Sequence, residues 1–401
     1  MKSNASSYRT IIAGIALLVG AITTSSRADF LYVGDAYDNT VKRFDVDTGA
    51  WADFVRSNSN GGLDGPRGMI FIPSQNRFVV VNQNVDTDFS GEILTYNGTN
   101  GMFLEALVPH SPSIVPTQSP PPDKPFAPRG IVAQGILFVA SFENHDPVDD
   151  PESAKNDDGS ILMYTPSGKF IGELPKPQAS SQLPAPLDST GHFHPRSLVI
   201  LDDLLYVSNA PNLPLQGNLQ GEVLRYDLAK KVFKDVFVSD QQNDLQSAGV
   251  SFNRPEGLVF GPDGNLYITS FRNDVNDNDK ILIFAGPHST QKPPGSYLGK
   301  IDLYDSKDAV NDPQARALAQ ALLFGPNGLL FVPITGFGPG VGGPLDAPFG
   351  YSTGAVRRYN VKTGKRLPDF VPPFLAQGPL KLPFYLTFGN TNPATLAYPA
   401  Q

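Results

Sequence analysis

The chain has 401 residues, with 31 Lys+Arg against 39 Asp+Glu and a formal charge of −8, so it lacks the basic balance expected of a nucleic-acid binder. It contains no Cys, which excludes disulfides, thiol nucleophiles, thiolate zinc sites and lipidation at Cys. Gly and Pro number 38 each, a share that suits strands and turns, and 40% hydrophobic residues provide for a packed core.

The N-terminus reads as an export signal. Lys2 and Arg9 precede an apolar run from Ile11 to Ile22. Ser26-Arg27-Ala28 then places small residues at the −3 and −1 positions of a cleavage point. As a helix the apolar run would rise about 18 Å, short of the roughly 30 Å hydrocarbon core, so an uncleaved anchor is the weaker reading. Residues 1–28 are therefore expected to be a signal peptide. The mature chain 29–401 is expected to be secreted or periplasmic, without a membrane span, and monomeric.

From there on one pattern recurs. A Pro-containing turn leads into a short apolar strand, a tight turn and a second strand. It appears as GPRGMIFIPSQNRFVVVN (65–82), APRGIVAQGILFVAS (127–141), HPRSLVILDDLLYVSN (194–209) and RPEGLVFGPDGNLYITS (254–270). A fifth copy, LAQALLFGPNGLLFVPI (318–334), lacks the Pro, and a sixth begins as LPFYLTFGN (382–390). Successive starts lie 62, 67, 60, 64 and 64 residues apart, a period of arrays, solenoids or propellers. Third strands follow as GEILTY, GSILMY, GEVLRY, KILIF and GAVRRY, each with a turn and a fourth strand. Four antiparallel strands per unit is the make-up of a propeller blade.

The two ends complement each other. The stretch from Asp29 to Val55 shows second, third and fourth strands but no first, whereas the C-terminal copy has a first strand and ATLAY as a candidate second. One blade shared by the termini would close the ring and remove its free edges. Trp51 is expected in the core of that closing blade.

The repeats resemble those of NHL-type β-propellers, which run Pro-x-Gly-Ile-Ala, Asp-Gly-Asn turn, Tyr-Val-Ala-Asp; RPEGLVFGPDGNLYITSFRND (254–274) carries the likeness most fully. The resemblance extends to the senescence-marker-protein/gluconolactonase group and to virginiamycin B lyase. It implies an all-β, six-bladed propeller and says little about activity.

Turns between first and second strands are tight, whereas loops from second to third strands are long, so the expansion falls on one face. The residue preceding each first strand is expected at the channel mouth of that face: Arg67, Arg129, Arg196, Glu256, Gln320 and Phe384. The ends of the second strands are expected to form the next ring, Asp35, Val81, Ser141, Asn209, Ser270 and Ile334. Three arginines and one glutamate converging on an axis suit an anion, because guanidinium forks match carboxylate, sulfate or phosphate. The alternative is an internal network in which Glu256 and Asp35 satisfy the arginines. Asn144, Arg272 and Asn273, in the following loops, extend the candidate ligand surface toward an anion, a glycan or a protein. His194, with His192 and His145, is a candidate for proton transfer or metal binding at the mouth.

The lactonase-like relatives hold a divalent metal through carboxylate and amide oxygens. The resemblance makes Glu256, Asn209 and Asp35 the matching residue types, for calcium, zinc or magnesium. Asp274, Asn276 and Asn278 resemble the start of a calcium loop, but Asp279 and Ala285 occupy the positions of its Gly and Glu. Gly338, Gly340 and Gly343 spell G-x-G-x-x-G with no helix after them, since Pro344 and Pro348 intervene. Recognition of a ligand or partner on the long-loop face is the leading expectation, and a metal-assisted lactonase or a lyase in the channel is the alternative.

Overall fold

The computed structural model describes residues 29–399 apart from 60, 85–90, 112–122, 143–157, 178–192, 211–220, 275, 305–315 and 336–351. The expected signal peptide lies outside the described residues. Among the described residues, twenty-four strands form six four-stranded antiparallel sheets, the blades of a propeller. Blade one holds β1 (Phe30–Asp35), β2 (Thr40–Asp45) and β3 (Trp51–Val55), and takes its innermost strand, β24 (Pro383–Phe388), from the far end of the chain. Blade two is β4 (Pro66–Ile72), β5 (Arg77–Asn82), β6 (Glu92–Asn97) and β7 (Phe103–Val108). Blade three is β8 (Pro128–Gln134), β9 (Ile136–Ser141), β10 (Ser160–Tyr164) and β11 (Phe170–Glu173). Blade four is β12 (Pro195–Leu201), β13 (Leu204–Asn209), β14 (Glu222–Asp227) and β15 (Val232–Ser239). Blade five is β16 (Asn253–Phe260), β17 (Leu266–Phe271), β18 (Lys280–Phe284) and β19 (Tyr297–Asp302). Blade six is β20 (Leu323–Phe324), β21 (Leu330–Ile334), β22 (Ala355–Asn360) and β23 (Lys365–Val371).

The shared blade is present as expected. Leu31 pairs with Phe388 and Val33 with Leu386, so the termini are joined through a strand ladder. The innermost strands β24, β4, β8, β12 and β16 stand side by side in that order, and β21 meets β24 to close the ring. Inner strands are buried on both faces, hence their continuous apolar runs. Outer strands such as β19 alternate half-buried and exposed positions. Between blades the core is aromatic-rich: Phe78 of blade two packs at 4.7 Å on Phe71 and at 5.6 Å on Tyr32 of blade one. Burying a side chain of that size contributes about 1.5–3 kcal/mol.

Glycines opening the third strands have a packing reason. A Cβ on Gly91 would sit 2.2 Å from Cδ of Pro128, the proline that starts the next blade. The Gly of the third strand and the Pro of the next first strand thus specify one contact between blades.

Two expectations are corrected. Trp51 is 52% exposed. It begins β3, the outermost strand, which has no further neighbour among the described residues, and only Phe54 and Val55 of that strand turn into the blade interface. The segment ATLAY is not a strand. Residues 389–399 instead fold beneath the ring, where the amides of Ala133 and Ile200 donate to the carbonyls of Pro393 (2.9 Å) and Ala394 (2.9 Å). The inner edges of β8 and β12 face the channel, and the tail satisfies part of them.

Candidate functional site

The channel mouth is built by a defect repeated in four blades. Pro66 pairs with Asn82, but the next ladder pair is Met69 with Val80, so Arg67 and Gly68 drop out of register. The same shift releases Arg129-Gly130, Arg196-Ser197 and Glu256-Gly257. Hydroxyls of the partner strands catch the freed amides: Ser197 N–H donates to Ser208 Oγ at 2.9 Å and Gly257 N–H to Thr269 Oγ1 at 2.9 Å. Such a bulge bends the strand and re-aims the side chain before it. The small residue that follows is required by close approach of neighbouring backbones. A Cβ on Gly68 would lie 2.6 Å from the carbonyl oxygen of Arg129, and one on Gly257 would lie 2.6 Å from Cα of Ala321. The latter contact sets Gln320-Ala321 of blade six beside Glu256-Gly257 of blade five.

Arg67, Arg129, Arg196, Glu256, Gln320 and Phe384 are all buried. Arg196 Nη1 lies 3.1 Å from Glu256 Oε1, and Arg254 Nε approaches the same oxygen at 3.2 Å. Arg67 Nε donates to Gln83 Oε1 at 2.6 Å. Aromatic plates carry the guanidinium groups: Phe142 lies 3.4 Å from the Arg196 carbon and 5.3 Å from that of Arg129, and Phe384 lies 3.6 Å from that of Arg67. Three guanidinium groups face one carboxylate here. Burial, then the charge of Arg129, pushes the Arg67 pKa well down. Burial alone would raise Glu256, but Arg196, Arg254 and Arg129 together hold its carboxyl below the ordinary range. Tyr385 occupies the position where other copies carry Gly, Ser or Ala. Burial, with the charge of Glu256, pushes its phenol up to about 12. Among the described residues, Arg67 Nη1, Arg129 Nε, Glu256 Oε2, Gln320 Oε1 and the Tyr385 hydroxyl are buried without a hydrogen-bond partner.

The second ring has a different role, and two of its members shift by one residue. Polar residues at or just past the ends of the second strands tie down the chain entering each first strand. Asn82 Oδ1 accepts from Asp64 N–H (2.7 Å), Ser141 Oγ from Phe126 N–H (3.1 Å) and Asn209 Oδ1 from His194 N–H (2.8 Å). Ser270 Oγ accepts from Asn253 N–H (3.0 Å), and Thr335 Oγ1 donates to Leu318 C=O (2.9 Å). Asp35 accepts from Lys381 N–H (2.8 Å) and Leu382 N–H (2.9 Å). Asn82 and Thr335 therefore replace Val81 and Ile334, whose side chains belong to the core.

This arrangement also tests the metal set. Both carboxylate oxygens of Asp35 serve backbone amides. Asn209 Oδ1 serves His194, while its Nδ2 donates to Glu222 at 3.3 Å. Glu256 is flanked by two guanidinium groups. Among the described residues, no three His, Asp or Glu form a metal-binding group. The donor set does not fit a divalent cation.

His194 is fully buried, with Nδ1 3.1 Å from the Ala210 carbonyl and its ring 5.3 Å from Phe142. It lies behind the ring, as support for the Phe142 plate. His145, His192 and Asn144 lie outside the described residues. Arg272 and Asn273 belong to a structured turn: Arg272 N–H donates to Asp279 (3.0 Å), and Asn273 Oδ1 accepts from Asn253 Nδ2 (3.0 Å). In the calcium-like stretch, Asp274 Oδ1 accepts from Asn276 N–H (2.8 Å) and Asp277 pairs with Lys280 (2.5 Å).

At the opposite end, Leu396 packs against apolar residues of four separate core clusters and lines a central cavity of about 30 Å³ with Met69, Ile131, Leu198, Leu258 and Leu386. Sequence reasoning missed Tyr385, Phe142, Gln83 and Leu396. Tyr385 was detectable as the one bulky residue at a small-residue position. Phe142 and Gln83 each sit one residue past a polar tie, a weaker signal. Nothing in the repeat marks Leu396.

No family model and no curated protein matches the chain. Among solved structures, a chain of a nidogen/laminin complex superposes with a TM-score of 0.50 at 10% identity, covering 90% of this chain and 98% of its own. The periplasmic gluconolactonase of Pseudomonas aeruginosa superposes with a TM-score of 0.48 at 16% identity, covering 90% and 98%. A protein assigned as a 6-phosphogluconolactonase from Bacteroides uniformis gives 0.49 at 13% identity, covering 90% and 100%. At these identities the likeness is one of fold, the six-bladed propeller that the repeats resemble.

Proposed function

We propose that this chain is an exported, monomeric propeller that binds a small anionic ligand at the long-loop mouth of its channel. One observation carries the reading. Three buried guanidinium groups line a mouth that holds a single buried carboxylate, which only Arg196 of the three contacts, and Arg67 Nη1 and Arg129 Nε have no partner among the described residues. Buried like charges and unpaired donors are both costly, and an anion relieves both at once. Of an anion, a glycan or a protein, the charge of the ring favours the first. A cation-assisted lactonase does not follow from these residues, because their carboxylates already serve amides and guanidinium groups. Export is supported by the charge and hydropathy pattern of residues 1–28. Among the described residues no helix is long and apolar enough to cross a membrane.

The test is a melting titration with sulfate and with citrate. A hundredfold excess over the dissociation constant stabilises by about 2.7 kcal/mol. Sulfate also stabilises proteins non-specifically, so Arg129→Gln serves as the control. A response that weakens in the variant supports the site, and an equal response in both proteins overturns it. Mass measurement of the protein recovered outside the cytoplasm should give a chain beginning at Asp29, and light scattering should give one chain per particle.

A further inference from the structure

The unpartnered atoms of the ring are segregated. Arg67 Nη1 and Arg129 Nε are donors, on blades two and three. Glu256 Oε2 and Gln320 Oε1 are acceptors, on blades five and six. In a ring of six, blade two faces blade five and blade three faces blade six. The mouth is therefore polarised across its axis, donors against acceptors. The Tyr385 hydroxyl of blade one, able to give or to accept, lies within the field of Glu256 and all three arginines.

A simple anion would satisfy only half of this arrangement. It would pair the guanidinium groups and leave Glu256 Oε2 and Gln320 Oε1 buried without donors, which weakens binding. An ammonium group would supply donors, but it would enter a ring with three guanidinium groups to one carboxylate, beside Arg254 as well. A neutral hydroxyl supplies the donor without the repulsion. Building on the anion reading above, we infer that the ligand is a short hydroxy carboxylate lying across the axis, carboxylate toward Arg67 and Arg129, hydroxyl toward Glu256 and Gln320. The size follows from the burial of the ring residues and from the cavity below them, which at about 30 Å³ has room for little more than a methyl or ethyl group.

Isothermal titration calorimetry on the mature chain with lactate, propionate, alanine and sulfate tests this. Lactate and propionate differ by the hydroxyl alone. Lactate is expected to bind at least tenfold more tightly than propionate, because a site built to pair a hydroxyl rejects the analogue lacking it. Gln320→Leu should move the lactate-to-propionate ratio toward one, with circular dichroism confirming the fold. Arg129→Gln should weaken both ligands. Binding of sulfate and propionate with no advantage for lactate would overturn the hydroxy-acid assignment and leave the anion reading intact. Alanine binding more tightly than lactate would replace the hydroxyl by an ammonium and overturn it equally. Absence of binding by all four would remove the anion reading and this inference together.

Discussion

Arg196 Nη1 lies 3.1 Å from Glu256 Oε1, with the carboxylate fully buried and the arginine nearly so. The contact is an ion pair by distance, without the alignment of a hydrogen bond. It joins blades four and five at the channel mouth, and it gives the arginine ring its only direct carboxylate partner among the described residues.

Breaking that pair should be expensive. Arg196→Ala leaves Glu256 buried with Arg254 as its remaining direct partner, and a loss of about 3–5 kcal/mol in urea unfolding is expected. Arg129 has no carboxylate partner among the described residues, so Arg129→Gln should cost far less or stabilise the free protein by removing a like charge. Equal losses in the two variants would refute this division of roles.

Glu222 provides a pH test. It is buried, and burial pushes its carboxyl from an ordinary value of 4.5 up to about 8. Below the ordinary value both folded and unfolded states hold the proton, and no penalty exists. As pH rises, the unfolded chain ionises first, and the folded state loses stability until its own carboxyl titrates. The contribution should fall between pH 4.5 and about 8, with a slope of at most about 1.4 kcal/mol per pH unit. Glu222→Gln keeps an acceptor for Asn209. The variant should gain on the native protein across that window, and a pH-independent difference would contradict the buried, protonated state.

Two C-terminal deletions should behave differently. Removing 382–401 takes away β24 and exposes two sheet edges, so cooperative unfolding should be lost or aggregation appear. Removing 391–401 leaves β24 in place but withdraws Leu396 and the carbonyls that serve Ala133 and Ile200. That protein should fold cooperatively at reduced stability. Leu396→Ala alone should cost about 1–2 kcal/mol, since the side chain is only partly buried. Identical melting curves for the native protein and both truncations would contradict the ring closure.

Gly68→Ala tests the close approach behind the ring. The added methyl would meet the Arg129 carbonyl at 2.6 Å, a backbone atom held by its own strand. A loss of about 1–3 kcal/mol is expected, as for other overpacked sites. An added residue at Gly264, where a side chain would meet nothing within 4 Å, should change stability by no more than about 1 kcal/mol. Reversal of that order would mean that the tight-turn face, not the channel wall, is the constrained one.

The sequence by itself determined the blade count, the four-strand order within each blade and the shared closing blade. Each of these is written in local periodicity: Arg67-Gly68, Arg129-Gly130 and Glu256-Gly257 recur because the same bulge opens the first strands of blades two to five. It also placed three arginines and one glutamate in a single register, since equivalent positions in a closed ring must converge on its axis. The tertiary structure decided what those side chains do on arrival. The pairing of Arg196 with Glu256 but not with Asp35, and the use of Asp35 and Asn209 as backbone ties, depend on hydrogen bonds between residues far apart in the chain, which no repeat encodes. Tyr385 and Leu396 show the same limit. They are exceptions to the repeat, both lining the central cavity, and an exception acquires its meaning only from the space that the regular copies leave empty.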